Sequence, residues 1–477
     1  MSGMHSFAAW TAFAFLASTI DARPQVHRHR RPHGQGTASA DDLYTAVATP
    51  TATATNFPSL SIQPSHYSLS STAPYGFTAS GFAAAPTVTH SRGQPYANAS
   101  STASPIGQPN SPYPLNDTNS ASATSSKYPA KFRGVNLGSW LVLESWMTPD
   151  VFQGTDAVDQ WTFDSTDRAE ARLQQHWSTY ITEGDFQNMS SWGINAVRIP
   201  IGYWAYNNSA RHLGHDRLPR LPRLANGAEH SGHAGAVSWQ SDDNLQLSIV
   251  VLQTIAAKYG AMQYADVVMG IELVNEPKIG SGANSLATTQ AWAAQAYHAV
   301  RATAENKALY ILHHDGFTGV QSWAAVGTEL NSDSAPSDED QGTFALDLHL
   351  YQNQDPADKS LSLDQHIAKA CAYPTTDFLL PSNTSTASLP LFVGEFSAQI
   401  SIPNTTDGIW TPDLLEGTRK VFEAQVDAFE HSSQGWFVWS LKQGGDTGAW
   451  SLEAIMENVY AGEAITERKY PGICPFG

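Results

Sequence analysis

The sequence predicts an α/β chain built as a (β/α)8 barrel, preceded by a long N-terminal stretch that does not fold. Three observations lead there. Short apolar runs rich in β-branched residues recur over the last 350 or so residues, separated by stretches long enough for helices. No Gly-x-Gly-x-x-Gly turn follows any of these runs, which removes the support for an open doubly wound sheet. The composition also changes abruptly near residue 127, from Ser, Thr, Ala and Pro in low-complexity order to a pattern that can bury a core.

Taken in order, residues 1–22 read as a signal peptide, with an apolar stretch from Phe7 to Ile20 and small residues near its end; an uncleaved anchor is the alternative. Residues 23–127 open with the basic cluster "HRHRRPH" and continue as a Ser/Thr-rich spacer that buries too little to fold, either O-glycosylated and extended or an unmodified disordered tail. Residues 128–477 form the folded domain. Its strand candidates are "FRGVNLG" near 132, "NAVRIPI" near 195, "VVMGIELVNE" near 267, "ALYILHH" near 308, "FALDLHLY" near 344, "LPLFVGEF" near 389 and "GWFVWSL" near 435. Between them, "DNLQLSIVVLQTIAAKY" and "TRKVFEAQVDAFEHS" carry apolar residues at spacings of three and four, the period of an amphipathic helix.

The bulk numbers narrow the function. A formal charge of −18 argues against a phosphate-backbone partner, which needs a basic face to displace counterions. A neutral substrate is compatible, and fourteen tryptophans offer flat rings that can stack on sugars, although most large aromatics fill core. Two cysteines, Cys371 and Cys474, exclude a cysteine-rich zinc module and permit one bridge at most. In a secreted chain, Asn98, Asn116, Asn188, Asn207, Asn383 and Asn404 would be glycan acceptors.

In a barrel of this kind the active site lies at the C-terminal ends of the strands. There the runs close with Asn136 and, a turn later, Glu144; with Arg198; with Asn275 and Glu276; with His313 and His314; with His349 and Tyr351; with Glu395; and with Trp439 and Lys442. Two glutamates at two strand ends, Glu276 and Glu395, suit the cleavage of a glycosidic bond, which needs one carboxyl to donate a proton and another to attack carbon. A lone Glu would more often be a cap. Arg198 would hold a carboxylate ionised, or else only tie strands together. His349 and Tyr351, two apart, point the same way, and Trp439 is placed to floor a sugar subsite unless it is simply core. His313 and His314 face opposite sides of their strand with no further ligands visible, so no metal site is expected.

These residues sit in a recognisable pattern. "RGVNLGSWLVLESWMTPDVF", "GINAVRIPIGYWA", "VVMGIELVNEP", "HLYQ", "LFVGEFSA", "EAQVDAFE" followed by "GWFVWSLK", and "ERKYPGICPFG" together resemble the fungal secreted exo-β-1,3-glucanases of glycoside hydrolase family 5, in order over residues 131–477. The resemblance implies a retaining hydrolase without cofactor that acts on β-glucan outside the cell or at its wall; a monomer is expected, and the residue and charge readings above exclude a metal and a nucleic-acid partner. It implies Glu276 as acid/base, Glu395 as nucleophile, Asn275 as donor to the sugar 2-hydroxyl, and Glu144, Arg198, His349, Tyr351 and Trp439 as glucose-pocket residues. Cys371 and Cys474 fall on family cysteine positions, which implies a disulfide. An endo-acting or β-1,6-directed hydrolase of the same fold and a non-catalytic glucan-binding wall protein are the competing functions.

One departure stands out. Where the family has a helix and a third barrel strand whose terminal His lines the pocket, residues 207–238 are short, charged and interrupted by proline, and they offer no strand candidate. Ala228 and Gln354 stand where entrance aromatics are usual. The expectation is a barrel whose third βα unit is missing or degraded. A wrong splice junction explains this better than a variant with a substitute strand or a non-catalytic descendant, since both glutamates and the rest of the pocket remain.

Overall fold

The computed structural model describes residues 11–16, by their backbone alone, and residues 129–206, 225–280, 284–332, 343–382, 389–400, 410–444 and 448–476. The expected spacer 23–127 and the remainder of residues 1–22 lie outside the described residues, as does 207–224.

Eight parallel strands close into a barrel: β1 (Thr11–Leu16), β2 (Phe132–Asn136), β3 (Ala196–Ile201), β4 (Val268–Glu272), β5 (Tyr310–His314), β6 (Phe344–His349), β7 (Leu391–Phe396) and β8 (Gly435–Val438). Each of the seven runs expected to be a strand is one. From β4 to β8 and on through β2 to β3 the ring follows chain order, and β1 fills the place between β3 and β4. The third-strand position is therefore occupied by a substitute strand, drawn from the apolar run that reads as a leader. It pairs in register with β3 from Thr11 opposite Ala196 to Leu16 opposite Ile201, and with β4 from Ala12 opposite Val268 to Phe15 opposite Glu272 with a register shift between Ala12 and Phe13. Closure explains the pairing physically: a ring one strand short would leave two edges with unpaired N–H and C=O groups. Leader and strand are uses that exclude one another in a single mature chain.

The strands are apolar on both faces because both are covered. Inside the ring, Phe132, Ala196, Met269, Leu312, Ala345, Phe392 and Phe437, one from each of β2 to β8, form a closed apolar layer. Gly134 is required there, since a Cβ at this position would lie 2.0 Å from the Phe437 ring. Outside, the expected helices are present as Asp242–Tyr259 and Pro412–Ser432, the latter begun by a proline in its first turn and by Thr411, whose hydroxyl accepts from the Leu414 N–H at 3.2 Å. Their buried stripes, including Leu252, Ile255, Phe422 and Phe429, pack with Trp292 and Trp323 against the outer sheet face. Above the inner apolar layer, toward the C-terminal strand ends, the same inward positions turn polar: Asn136 on β2, Arg198 on β3, His314 on β5, and Asp347 and His349 on β6 follow Phe132, Ala196, Leu312 and Ala345 at the strand period of two.

Cys371, in the helix Leu363–Thr376, is bonded to Cys474 near the C-terminus. Of the six glycan acceptors, Asn188 is exposed on the helix Glu183–Ser191; the other five lie outside the described residues.

Two outcomes follow from this architecture. A chain beginning at Arg23 leaves the facing edges of β3 and β4 bare and is expected to aggregate, or to melt below the full chain, in size-exclusion and thermal-unfolding measurements; a stable monomeric truncation would show that the barrel closes without β1. The disulfide spans a sequence separation of 103, and chain-entropy arguments assign a loop of that size up to about 4–5 kcal/mol, so Cys474→Ser is expected to lower the unfolding midpoint by several degrees.

Candidate active site

The site grows from one buried cation. Arg198, fully enclosed in β3, donates from Nη1 to Glu395 Oε1 at 2.6 Å and to Asn136 Oδ1 at 2.9 Å, and from Nη2 to Asn275 Oδ1 at 2.6 Å and Glu272 Oε2 at 2.8 Å; its Nε reaches the same Glu272 oxygen at 3.2 Å. A planar guanidinium can serve residues on β2, β4 and β7 and the turn after β4 together because its donors lie in a fixed fork. Burial opposes its charge, but Glu272, Glu395 and Asp347 outweigh burial and hold the proton on more firmly than usual.

Glu395 has both oxygens engaged, Oε1 by Arg198 and Oε2 by the Tyr351 hydroxyl at 2.7 Å. Its direction is set by an irregularity in β7: Leu348 of β6 pairs with Val393, yet the next residue, His349, pairs with Glu395, so Gly394 is an extra residue and the strand bulges. Bulges next to active sites re-aim a side chain in this way.

β4 ends at Glu272, so Asn275 and Glu276 follow the strand in a turn rather than terminating it, which corrects the sequence reading. The reason lies in the backbone. Glu276 sits in the left-handed region at φ +39°, a conformation that costs a non-glycine residue about 1–3 kcal/mol, and Pro277 after it has no N–H to give a ladder. The side chain is buried and meets His349, whose Nδ1 lies 2.5 Å from Glu276 Oε1 and 3.4 Å from Glu395 Oε2. Because both carboxyl groups approach one nitrogen, Glu276 Oε1 and Glu395 Oε2 are separated by at most about 6 Å.

Around this pair, His349 Nε2 is 3.3 Å from Asp347 Oδ2. Burial works against an imidazolium here, but Glu395, Glu276 and Asp347 reverse the balance and raise its proton affinity well above the ordinary value. Burial pushes Glu272 up to about 8 against the pull of Arg198, in keeping with its Oε1, which is buried without a hydrogen-bond partner and can carry a proton. Glu144 joins through Trp146, whose Nε1 donates to Glu144 Oε2 at 2.8 Å and whose ring packs with Trp439, Trp450, Met147 and Tyr351. Glu276, Glu395, Arg198, Asn275, His349 and Tyr351 are thus joined by direct contacts, with Trp439 and Glu144 beside them.

Other strand-end residues have different uses. Lys442 ion-pairs with Asp185 on the helix Glu183–Ser191 and lies outside this network. His313 turns outward, its ring 4.4 Å from Trp323 and 6.2 Å from Trp292, and burial lowers it to about 4. His314 turns inward, 4.2 Å from the His349 ring, and burial lowers it far enough to stay neutral beside that cation. The two faces expected of adjacent strand residues are therefore observed. Sequence reading passed over Glu272 and Asp347 and weighed His314 only as half of a discounted metal pair. The signal was there for the two acids: each is a charge inside an otherwise apolar run, and Asp347, His349 and Tyr351 alternate at the strand period.

Two carboxyl groups this close at the mouth of a parallel barrel suit displacement through a covalent sugar–enzyme intermediate, which places fold and site among the retaining glycosidases. Residues 156–445 match the family described as cellulase (glycosyl hydrolase family 5). The chain belongs to that family. It is 31% identical over 383 residues to glucan 1,3-beta-glucosidase 1 of Schizosaccharomyces pombe, covering 72% of this chain and 91% of that protein. To glucan 1,3-beta-glucosidase 2 of Wickerhamomyces anomalus it is 32% identical over 408 residues, covering 72% and 90%. Among solved structures, rutinosidase from Aspergillus niger superposes with a TM-score of 0.54 at 20% identity, over 69% of this chain and 97% of that one, a likeness of fold.

The charges of the site make stability depend on pH. Glu272 and His349 both bind protons more firmly in the folded chain than unfolded, so the stability they contribute is present at acid pH and is lost as pH rises toward their folded values. Thermal midpoints are expected to fall from about pH 4.5 to about 8 as Glu272 loses its contribution and more steeply above about 6.5 where His349 joins it, each group adding a slope of up to about 1.4 kcal/mol per pH unit, and Glu272→Gln is expected to flatten the decline.

Proposed function

We propose that this chain hydrolyses β-1,3-glucan from non-reducing ends, releasing glucose with retention of configuration. The observation that carries the reading is the single His349 nitrogen touching both Glu276 and Glu395; the names of the fungal relatives supply the substrate. Glu395 Oε1 is anchored by Arg198, so Oε2, which accepts from the Tyr351 hydroxyl with His349 Nδ1 3.4 Å away, is the oxygen that attacks the anomeric carbon. His349 donates from Nδ1 to Glu276 Oε1, which leaves the other oxygen of Glu276 to carry the proton that the departing glucan takes. Water then attacks the glycosyl-enzyme, and Glu276 receives its proton.

Arg198 and His349 both keep their protons against burial because acids surround them, and burial pushes Glu272 up to about 8. An uncompensated charge at this depth would cost several kcal/mol. Asn275, anchored on its Oδ1 by Arg198, presents its amide N–H groups to the sugar 2-hydroxyl. Glu144 and Trp439 bind the same glucose. We place the activity outside the cell or at its wall, since the Cys371–Cys474 bridge requires an oxidising compartment. Among the described residues no helix is long and apolar enough to cross a membrane.

A second reading, endo action or β-1,6 cleavage, draws on Ala228 and Gln354, which stand where the resembled family usually has entrance aromatics. Product analysis separates the two: glucose alone from laminarin, with the β-anomer appearing first by NMR, is expected, whereas oligosaccharides or faster turnover of pustulan would favour the second. Glu395→Ala is expected to reduce glucose release by about 10^4-fold or more, and full activity in that variant would overturn the assignment.

A further inference from the structure

Asp347 has no part in the chemistry just described, yet it is fully buried and touches both halves of it. Its Oδ1 accepts from the Gly394 N–H at 2.5 Å, while its Oδ2 lies 3.3 Å from His349 Nε2 and 4.0 Å from Arg198 Nε. Gly394 is the extra residue of the β7 bulge, whose N–H loses its ladder partner. Asp347 supplies the acceptor in its place, and Asn136 Nδ2 satisfies the Gly394 carbonyl at 2.8 Å. No other residue fits at 394, because a Cβ would lie 2.0 Å from Asp347 Oδ2. The residue that follows is Glu395. On the other side, His349 is gripped between Asp347 at Nε2 and Glu276 at Nδ1, so the position of one ring links Asp347 to the proton donor.

We propose that Asp347 is a positioning residue for both carboxyl groups of the reaction: through Gly394 it aims Glu395, and through His349 it keeps the imidazolium that leaves one oxygen of Glu276 free to deliver its proton. This rests on the roles assigned above to Glu276 and Glu395. The charged and titratable groups facing Asp347 are Arg198 on β3, Glu272 on β4, His313 and Asp315 on and after β5, His349 on β6 and Glu395 on β7. His349 touches both Asp347 and Glu276, so loss of the Asp347 charge falls first on that proton.

Asp347→Asn, in the full chain, keeps the size and an oxygen for the Gly394 N–H but removes the charge. The expected result is a leaving-group effect: about 10-fold or greater loss of kcat/KM on laminarin and phenyl β-glucoside, which need the proton, and less than about 3-fold on 2,4-dinitrophenyl β-glucoside, which leaves without it. The basic limb of the pH profile is expected to move down by about one unit, because the Glu276–His349 pair then loses its first proton more easily. Equal losses on all three substrates with an unmoved pH profile would reduce Asp347 to a structural residue and overturn the proposal, as would undiminished activity. A wild-type measurement covers the case of a variant that does not fold: nitrogen-15 NMR is expected to find both His349 ring nitrogens protonated at pH 7, and a neutral ring there would overturn it. Glu276→Ala separates this failure from that of the reading beneath it, since a true acid/base variant keeps its first turnover on the dinitrophenyl substrate and loses laminarin whatever Asp347 does.

Discussion

The buried guanidinium of Arg198 is the constraint on which the rest of the site depends. A cation with no exposure must be matched by anions and acceptors at hydrogen-bond distance, or its burial would cost far more than the fold can supply. Its five donors meet that need by drawing Asn136, Glu272, Asn275 and Glu395 inward from different places in the chain. Catalytic geometry and local stability therefore share one origin here. Removing the cation would leave a crowd of acids in a space that tolerates them only because it is there, and replacing it by lysine would keep a charge but lose the planar fork that reaches two directions at once.

The same constraint accounts for the proton inventory. Four acids, one imidazole and one guanidinium occupy the C-terminal mouth of the barrel within contact of one another. Low dielectric makes like charges expensive and opposite ones cooperative, so burial raises Glu272 even beside Arg198, and the surrounding acids hold the proton on His349. His314, in ring contact with His349, shows the converse: beside an existing cation it goes uncharged, and its Nδ1 accepts the Gly316 N–H at 3.0 Å.

Much of this was legible in the sequence because a parallel barrel reads simply. Strands covered on both faces are apolar almost throughout, so the polar residue that closes each run stands out, and Arg198, Glu276, His349 and Glu395 were found by that contrast alone. What escaped notice was polar material one period deeper, Glu272 and Asp347, because a charge within an apolar run is more simply taken for an interruption than for the partner of another such charge on a distant strand. Nor does a sequence announce a bulge. "LFVGEF" scans as an uninterrupted strand, and only pairing to β6 reveals that Gly394 is surplus and that Glu395 is turned by it. The strand end at Glu272 was misplaced for a related reason: Leu273 and Val274 continue the apolar run after the ladder has stopped, because burial and pairing are separate demands.

The third place in the ring shows how separable closure and chemistry are. Backbone pairing asks only for an extended segment of the right length and direction, with no demand on the identity of its side chains beyond their tolerance of burial. Thr11–Leu16 meets that demand with residues whose sequence otherwise reads as a leader, and none of the contacts among Arg198, Asn275, Glu276, His349, Tyr351 and Glu395 comes from it. The substitute strand closes the ring at the third position. It leaves the two carboxyl groups, the cation that holds one and the imidazole that touches both, because each of these is carried by strands on the other side of the gap or by β3 at its edge. A barrel built this way can change a strand in its wall and keep the network of buried groups at its mouth.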